Sequence, residues 1–173
     1  MTVLVAVVFV LAMSGLALRI YMGREAEDRL APSEAVSIAA LRSPLPRPSF
    51  LACPPGYCSA AEAIASPIFG LPRDRLYAFW LEIISREKGM LPVAADPEND
   101  RFVYILHSPT FRFPDIITVE FVRLGPDRSG IAMYSRSRYG KVDFGKNRKR
   151  VERWLVLLER VARPAATHLG RAQ

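Results

Sequence analysis

Apolar and polar positions follow three different rhythms along this chain. The first is an unbroken apolar run. Met1 to Leu18 carries no charged side chain, and Ile20, Tyr21 and Met22 extend the run past Arg19. About 20 apolar residues are needed to cross a bilayer as a helix, so the pattern predicts a membrane-spanning helix over residues 1–23. A cleaved signal peptide ending near Gly15-Leu-Ala17 is the rival, but the basic segment that should open one is absent. The second rhythm is helical. Leu76, Tyr77, Trp80, Ile83 and Ile84 recur at helix spacing behind Asp74, a candidate cap, with Gly89 as a stop. Val151, Trp154, Leu155, Leu158 and Val161 form a second apolar stripe on a helix from about residue 147 to 161.

The third rhythm is alternation. Strand-like runs cover 101–106, 115–123 and 130–138, and the loop from Leu124 to Gly130 joins the last two as a hairpin. Helix, three or more antiparallel strands, then helix predicts an α+β domain: a small antiparallel sheet with both helices packed on one face. In the last strand Ile131, Met133, Ser135 and Ser137 share one face, which suits the core. Ala132, Tyr134, Arg136 and Arg138 share the other, which reads as solvated. The simplest hairpin register puts Glu120 beside Tyr134, within diagonal reach of Arg136.

These patterns divide the chain into an anchor (1–23), a Pro-rich linker (24–49), a globular domain (50–163) and a flexible tail (164–173). Within the linker, Ser33 could cap a short helix over 34–41, and Ser43-Pro-Leu-Pro-Arg-Pro48 suits an extended spacer.

Composition is that of an ordinary folded protein, with half the residues apolar and 24% charged. Charge changes the picture more. The net charge is +7, and residues 141–173 hold nine Lys/Arg against three acids, so nearly all the surplus lies at the C-terminal end. An anionic partner should meet that segment. Arg19, Arg24 and Arg29 follow the apolar run, which by the positive-inside rule keeps the domain in the cytoplasm. Cys53 and Cys58, the only cysteines, argue the opposite. A pair closing the short loop Cys-Pro-Pro-Gly-Tyr-Cys reads as a disulfide worth about 2 kcal/mol, and disulfides persist in oxidising compartments. Two reduced structural cysteines remain the alternative. A zinc site would need two more ligands, and the chain offers only His107 and His168. No metal or cofactor is expected.

One segment carries a family signature. Ser135-Arg-Ser-Arg-Tyr-Gly-Lys-Val-Asp-Phe-Gly-Lys-Asn-Arg-Lys-Arg150, preceded by Arg112-Phe-Pro-Asp-Ile-Ile-Thr-Val119 and Cys53–Cys58, resembles the domain of unknown function 1499 of bacteria and plastids. The resemblance covers about residues 50–161. It implies an anchored or exported protein whose domain faces the periplasm, on a bacterial inner membrane. It implies no activity. Lys146 departs from the family pattern, where a small apolar residue is usual.

The signature suggests chemistry of its own. Lys146, Arg148, Lys149 and Arg150 fall in the first turn of the last helix, where the helix dipole disfavours cations. A bound anion would offset them. Arg136, Arg138, Asn147, Arg148 and Arg150, with Asp143 orienting one arginine, form a candidate phosphate or carboxylate site. The alternative is a helix cap in which Asp143 or Asn147 accepts backbone N–H bonds. A membrane-anchored binding or accessory module engaging an anionic small molecule, a lipid headgroup or an acidic protein segment follows from the first. A hydrolase or isomerase using Asp115 with the arginines is a second reading, although no nucleophile elbow, phosphate loop or metal-spaced histidines occur. Nucleic-acid binding through the basic tail with Tyr134, Tyr139 and Phe144 is a third, confined to a cytoplasmic domain.

Overall fold

The computed structural model describes residues 36–107 and 113–169, the last six as backbone. The apolar run at the N-terminus and the capping role of Ser33 lie outside the described residues. No helix among the described residues is long and apolar enough to cross a membrane.

The elements run β1 (Ser49–Cys53), β2 (Ile64–Ala65), β3 (Ile68–Phe69), α1 (Arg73–Ile84), β4 (Met90–Asp96), β5 (Arg101–His107), β6 (Pro114–Gly125), β7 (Arg128–Ser137) and α2 (Lys146–Leu169). The class is α+β. The sheet is larger than the alternation implied: seven strands in the order β2-β1-β7-β6-β5-β4, with β3 also paired to β7. It is mixed, because β2 joins β1 in parallel while the other pairings are antiparallel. β1 and β4 had no strand signal: one follows a proline run, and the other carries Pro92 and a bulge before Ala94.

Both helices pack on one face. Leu76, Trp80 and Ile83 of α1 and Val151, Trp154 and Leu158 of α2 meet Ile117, Val119, Phe121, Ile131 and Met133 of the sheet in a single core. Trp80 and Trp154 cross edge to face at its centre, ring centroids 5.3 Å apart. Asp74 does not cap α1. Pro72 occupies the cap without a side-chain hydrogen bond, which suits proline because the first helical N–H groups have no intrahelical acceptor anyway. The helix ends at Ile84, five residues before the glycine expected to stop it. Gly89 instead turns the chain into β4 at φ 82°. α2 continues to Leu169, beyond the predicted end at Val161.

The opposite face departs most from the pattern. It is not solvated. Residues 36–48 and 54–63 lie across it, and Ile38, Leu45 and Ala60 form a second core with Leu51, Cys53, Ala132 and Tyr134 of the sheet. The stretch read as a spacer is therefore packed here, and residues 38–41 form a turn rather than a helix. The hairpin register also differs: Thr118, not Glu120, lies opposite Tyr134, and Glu120 lies opposite Ala132. Glu120 is 1% exposed and fixes the covering segment. It accepts hydrogen bonds from the Ile38 backbone N–H (3.0 Å), the Tyr57 hydroxyl (2.8 Å) and Arg101 Nε (2.5 Å). Burial, together with Glu120, pushes the Tyr57 hydroxyl well above the usual tyrosine range. Cys53 and Cys58 are joined in a disulfide, which clips the loop bearing Tyr57 to the end of β1. That loop sits close enough to β7 that a side chain at Gly130 would meet Pro54 Cγ at 2.7 Å. Only glycine fits there.

Candidate functional site

The signature segment leaves β7 at Ser137, turns through 138–145 and enters α2 at Lys146. Positive φ values at Gly140 (88°), Phe144 (53°) and Gly145 (73°) make the turn tight. Asp143 closes it. Its carboxylate accepts N–H bonds from Gly145 and Asn147, both at 3.0 Å, which is the capping arrangement. Burial works against that charge, but the N–H bonds and the Asn147 side chain outweigh it and hold the carboxyl below its ordinary range.

Asn147, fully buried, joins the helix start to the sheet. Its Oδ1 accepts from Ser135 Oγ (2.6 Å) and Arg150 Nη1 (3.0 Å), while its Nδ2 donates to Asp143 (2.7 Å) and Ser137 Oγ (3.1 Å). Arg150 Nη1 also donates to Ser135 Oγ at 3.0 Å, and Nη2 to Asp115 Oδ2 at 2.5 Å. The side chains of Arg150 and Asp115 are both about nine-tenths buried, so each charge needs the other. The network is closed: the guanidinium that an anion would have to recruit already has a carboxylate.

The structure therefore divides the predicted anion-binding set. Asn147, Arg150 and Asp143 come together as a structural lock, with Ser135 and Ser137 on the face predicted for them. Arg136 alternates with Ser135 and lies on the other side of the sheet, opposite Ser49 and Ile116. Arg138 lies beyond the strand end, 5.9 Å from the Tyr139 ring centroid, its backbone N–H donating to Pro114 O. Arg148 points outward, paired with Glu152 at 2.8 Å and standing 5.7 Å over the Phe50 ring. A strand cannot present Arg136 and Ser135 to one ligand, and this separates the set physically. Among the described residues no three His, Cys, Asp or Glu groups gather as a metal site.

The sequence reading offered Tyr139 and Phe144 only as stacking residues for nucleic acid and missed the exposed apolar tip of the turn. Phe144 is 82% exposed and Val142 66%, with Tyr139 also exposed. Lys141, Lys146, Arg148 and Lys149 surround them and are exposed too. A cleft of about 390 Å³ opens beside this surface, between the turn and the covering segment, with Arg47, Ser49, Phe50, Glu62 and Lys141 among its lining. The available signal was an aromatic placed between Asp143 and Gly145, in a turn with no apolar partner in register.

No curated protein matches the chain. The family model described as "Protein of unknown function (DUF1499)" matches residues 51–158, from β1 into α2, taking in the clipped loop, the sheet and the lock. The chain belongs to the DUF1499 family of proteins of unknown function.

Proposed function

We propose that this protein is a membrane-anchored binding or accessory module of the bacterial envelope that lays its signature turn on the anionic headgroup surface of a bilayer. Phe144 carries the reading. A phenylalanine at φ 53° costs about 1 kcal/mol relative to an ordinary backbone conformation, and this one gains no packing in return. Strain of that kind is retained where a surface is used. Between residues 138 and 150 there are six cations and one acid, and the acid is committed to backbone N–H groups. Apolar tips ringed by lysines suit the boundary between headgroups and acyl chains: the rings insert while the ammonium groups meet phosphate. Lys141, Lys146 and Lys149 would together contribute about 3 kcal/mol at an anionic surface, at roughly 1 kcal/mol each. The uncharged N-terminal run supports an anchor beside that surface, and the disulfide supports a periplasmic placement.

Hydrogen exchange on the full chain in nanodiscs tests this. Amides of 139–146 should be protected in discs of phosphatidylglycerol relative to phosphatidylcholine. The protection should vanish when Lys141, Lys146 and Lys149 are changed to Glu. Equal exchange in both lipids would rule the reading out.

A further inference from the structure

The helical layer is narrower than the sheet. A helix is about 10 Å wide and strands lie about 4.8 Å apart, so two helices cover roughly four strands. α1 lies over β6 and β7, and α2 over β1, β3 and β7. The outer strands β5 and β4 run out from under them. An apolar groove of about 630 Å³ opens there, between α1 and β4, within the roughly 300–1,000 Å³ usual for ligand clefts. Tyr77, Leu81 and Ile84 form one wall, Met90, Pro92 and Ala95 the other, and Phe102 and Tyr104 the floor. No lining residue is charged at neutral pH.

One buried donor is left over at this groove. Tyr104, 3% exposed, accepts the Trp80 indole N–H at 3.1 Å, and among the described residues nothing accepts its own proton. Burial pushes its hydroxyl up to about 12, so that proton stays in place. Arg73 stacks over the floor and wall, its guanidinium 4.9 Å from the Tyr77 ring centroid and 5.8 Å from that of Phe102. Its two Nη atoms pair with Asp74 and Asp100, so it closes that end of the groove from outside the lining. Buried donors are rarely left unpaired, and the Tyr104 hydroxyl lies at the floor of an otherwise apolar groove. It complements an occupant with an acceptor oxygen and no donor requirement.

We infer that the groove between α1 and β4 binds a single long-chain acyl molecule, its chain along Leu81, Ile84 and Met90 and a carboxyl or ester oxygen facing Tyr104. An uncharged lining excludes sugars, nucleotides and other fully polar ligands, whose groups would be left desolvated. A donor without an acceptor selects a carbonyl-type oxygen over an amine. The site is independent of the signature turn.

The probe is a fatty acid bearing a terminal diazirine, photolysed with the full chain and mapped by peptide mass spectrometry. Saturable labelling within 77–85 and 90–95 is expected. Oleic acid should compete if the natural ligand is a free acid, and monooleoylglycerol if it is an ester. Ala95→Trp, filling the groove, and Leu81→Glu, on the exposed lip, should each reduce labelling at least tenfold with melting temperature unchanged. Labelling spread over other surfaces, competition by neither lipid, or labelling undiminished in Leu81→Glu would overturn the assignment.

Discussion

Replacing Asn147 by Ala should unfold the helix–sheet junction more than any change to the signature lysines. Four side-chain hydrogen bonds disappear, but their costs are unequal. Arg150 keeps Asp115 and Ser135, and Asp143 keeps its two backbone N–H bonds. Ser137 is half-exposed and can turn to water. Ser135 is fully buried, and its hydroxyl proton loses its acceptor among the described residues. A stranded buried hydroxyl costs about 1–3 kcal/mol, and losing one bond to the Arg150 cation adds about 1.5 kcal/mol. The sum, about 2.5–4.5 kcal/mol, is a large share of the 5–15 kcal/mol that holds most domains folded. Urea unfolding followed by circular dichroism and by Trp154 fluorescence would measure it, with m unchanged if the native state keeps its compactness. A loss under about 1 kcal/mol would refute the claim that the Asn147 network joins α2 to the sheet.

Three further outcomes follow from the same geometry. Glu120→Ala leaves the Arg101 cation without its buried partner and frees the Ile38 N–H, so it should cost about 3–5 kcal/mol and speed hydrogen exchange over residues 36–45. The carboxyl of Asp143 is held below its ordinary value of 3.8, so its contribution is complete above that pH and declines as pH falls through the lowered folded value. Asp143→Asn should remove that part of the acid transition in a pH titration of thermal stability. Phe144→Asn, which tolerates positive φ, should raise stability by about 0.5–1 kcal/mol in thermal unfolding while weakening association with anionic vesicles.

How far the sequence carried the structure depended on whether a residue's partners are local. The stripes of α1 and α2 and the faces of β7 follow from periodicity, because each position's neighbours are set by its own element. The faces of Ser135 and Ser137 were legible for the same reason. The cap at Asp143 was one of two readings of the helix start, and the sequence offered Asn147 as an anion ligand or a cap rather than as the buried bridge it forms. The covering segment was not legible. Ile38 and Leu45 sit among prolines and charges, and their burial depends on a sheet face to which Ala132 and Tyr134, about 90 positions later, contribute. That face looked polar because Tyr134 and Glu120 occupy it, yet both are buried, Glu120 satisfied by partners far away in sequence. The arginines of the signature gave a true count of charge and a misleading geometry. Alternation sends Arg136 through the sheet, and Asp115, which no spacing rule links to Arg150, neutralises the cation that turns inward from the helix start. The groove at β4 was hidden too, since it exists only where the helical layer stops short of the sheet edge.

The most direct test of the account places a reporter at its exposed tip. Trp80 and Trp154 are fully buried and should be indifferent to lipid, so Phe144→Trp in the full chain adds one responsive fluorophore. On vesicles rich in phosphatidylglycerol its emission should shift to the blue and be quenched by brominated acyl chains. Both effects should fade in phosphatidylcholine and in high salt, where screening weakens the lysine contacts. Emission that stays at the wavelength of a water-exposed indole on anionic vesicles, with no quenching, would contradict the proposal that this turn meets the membrane.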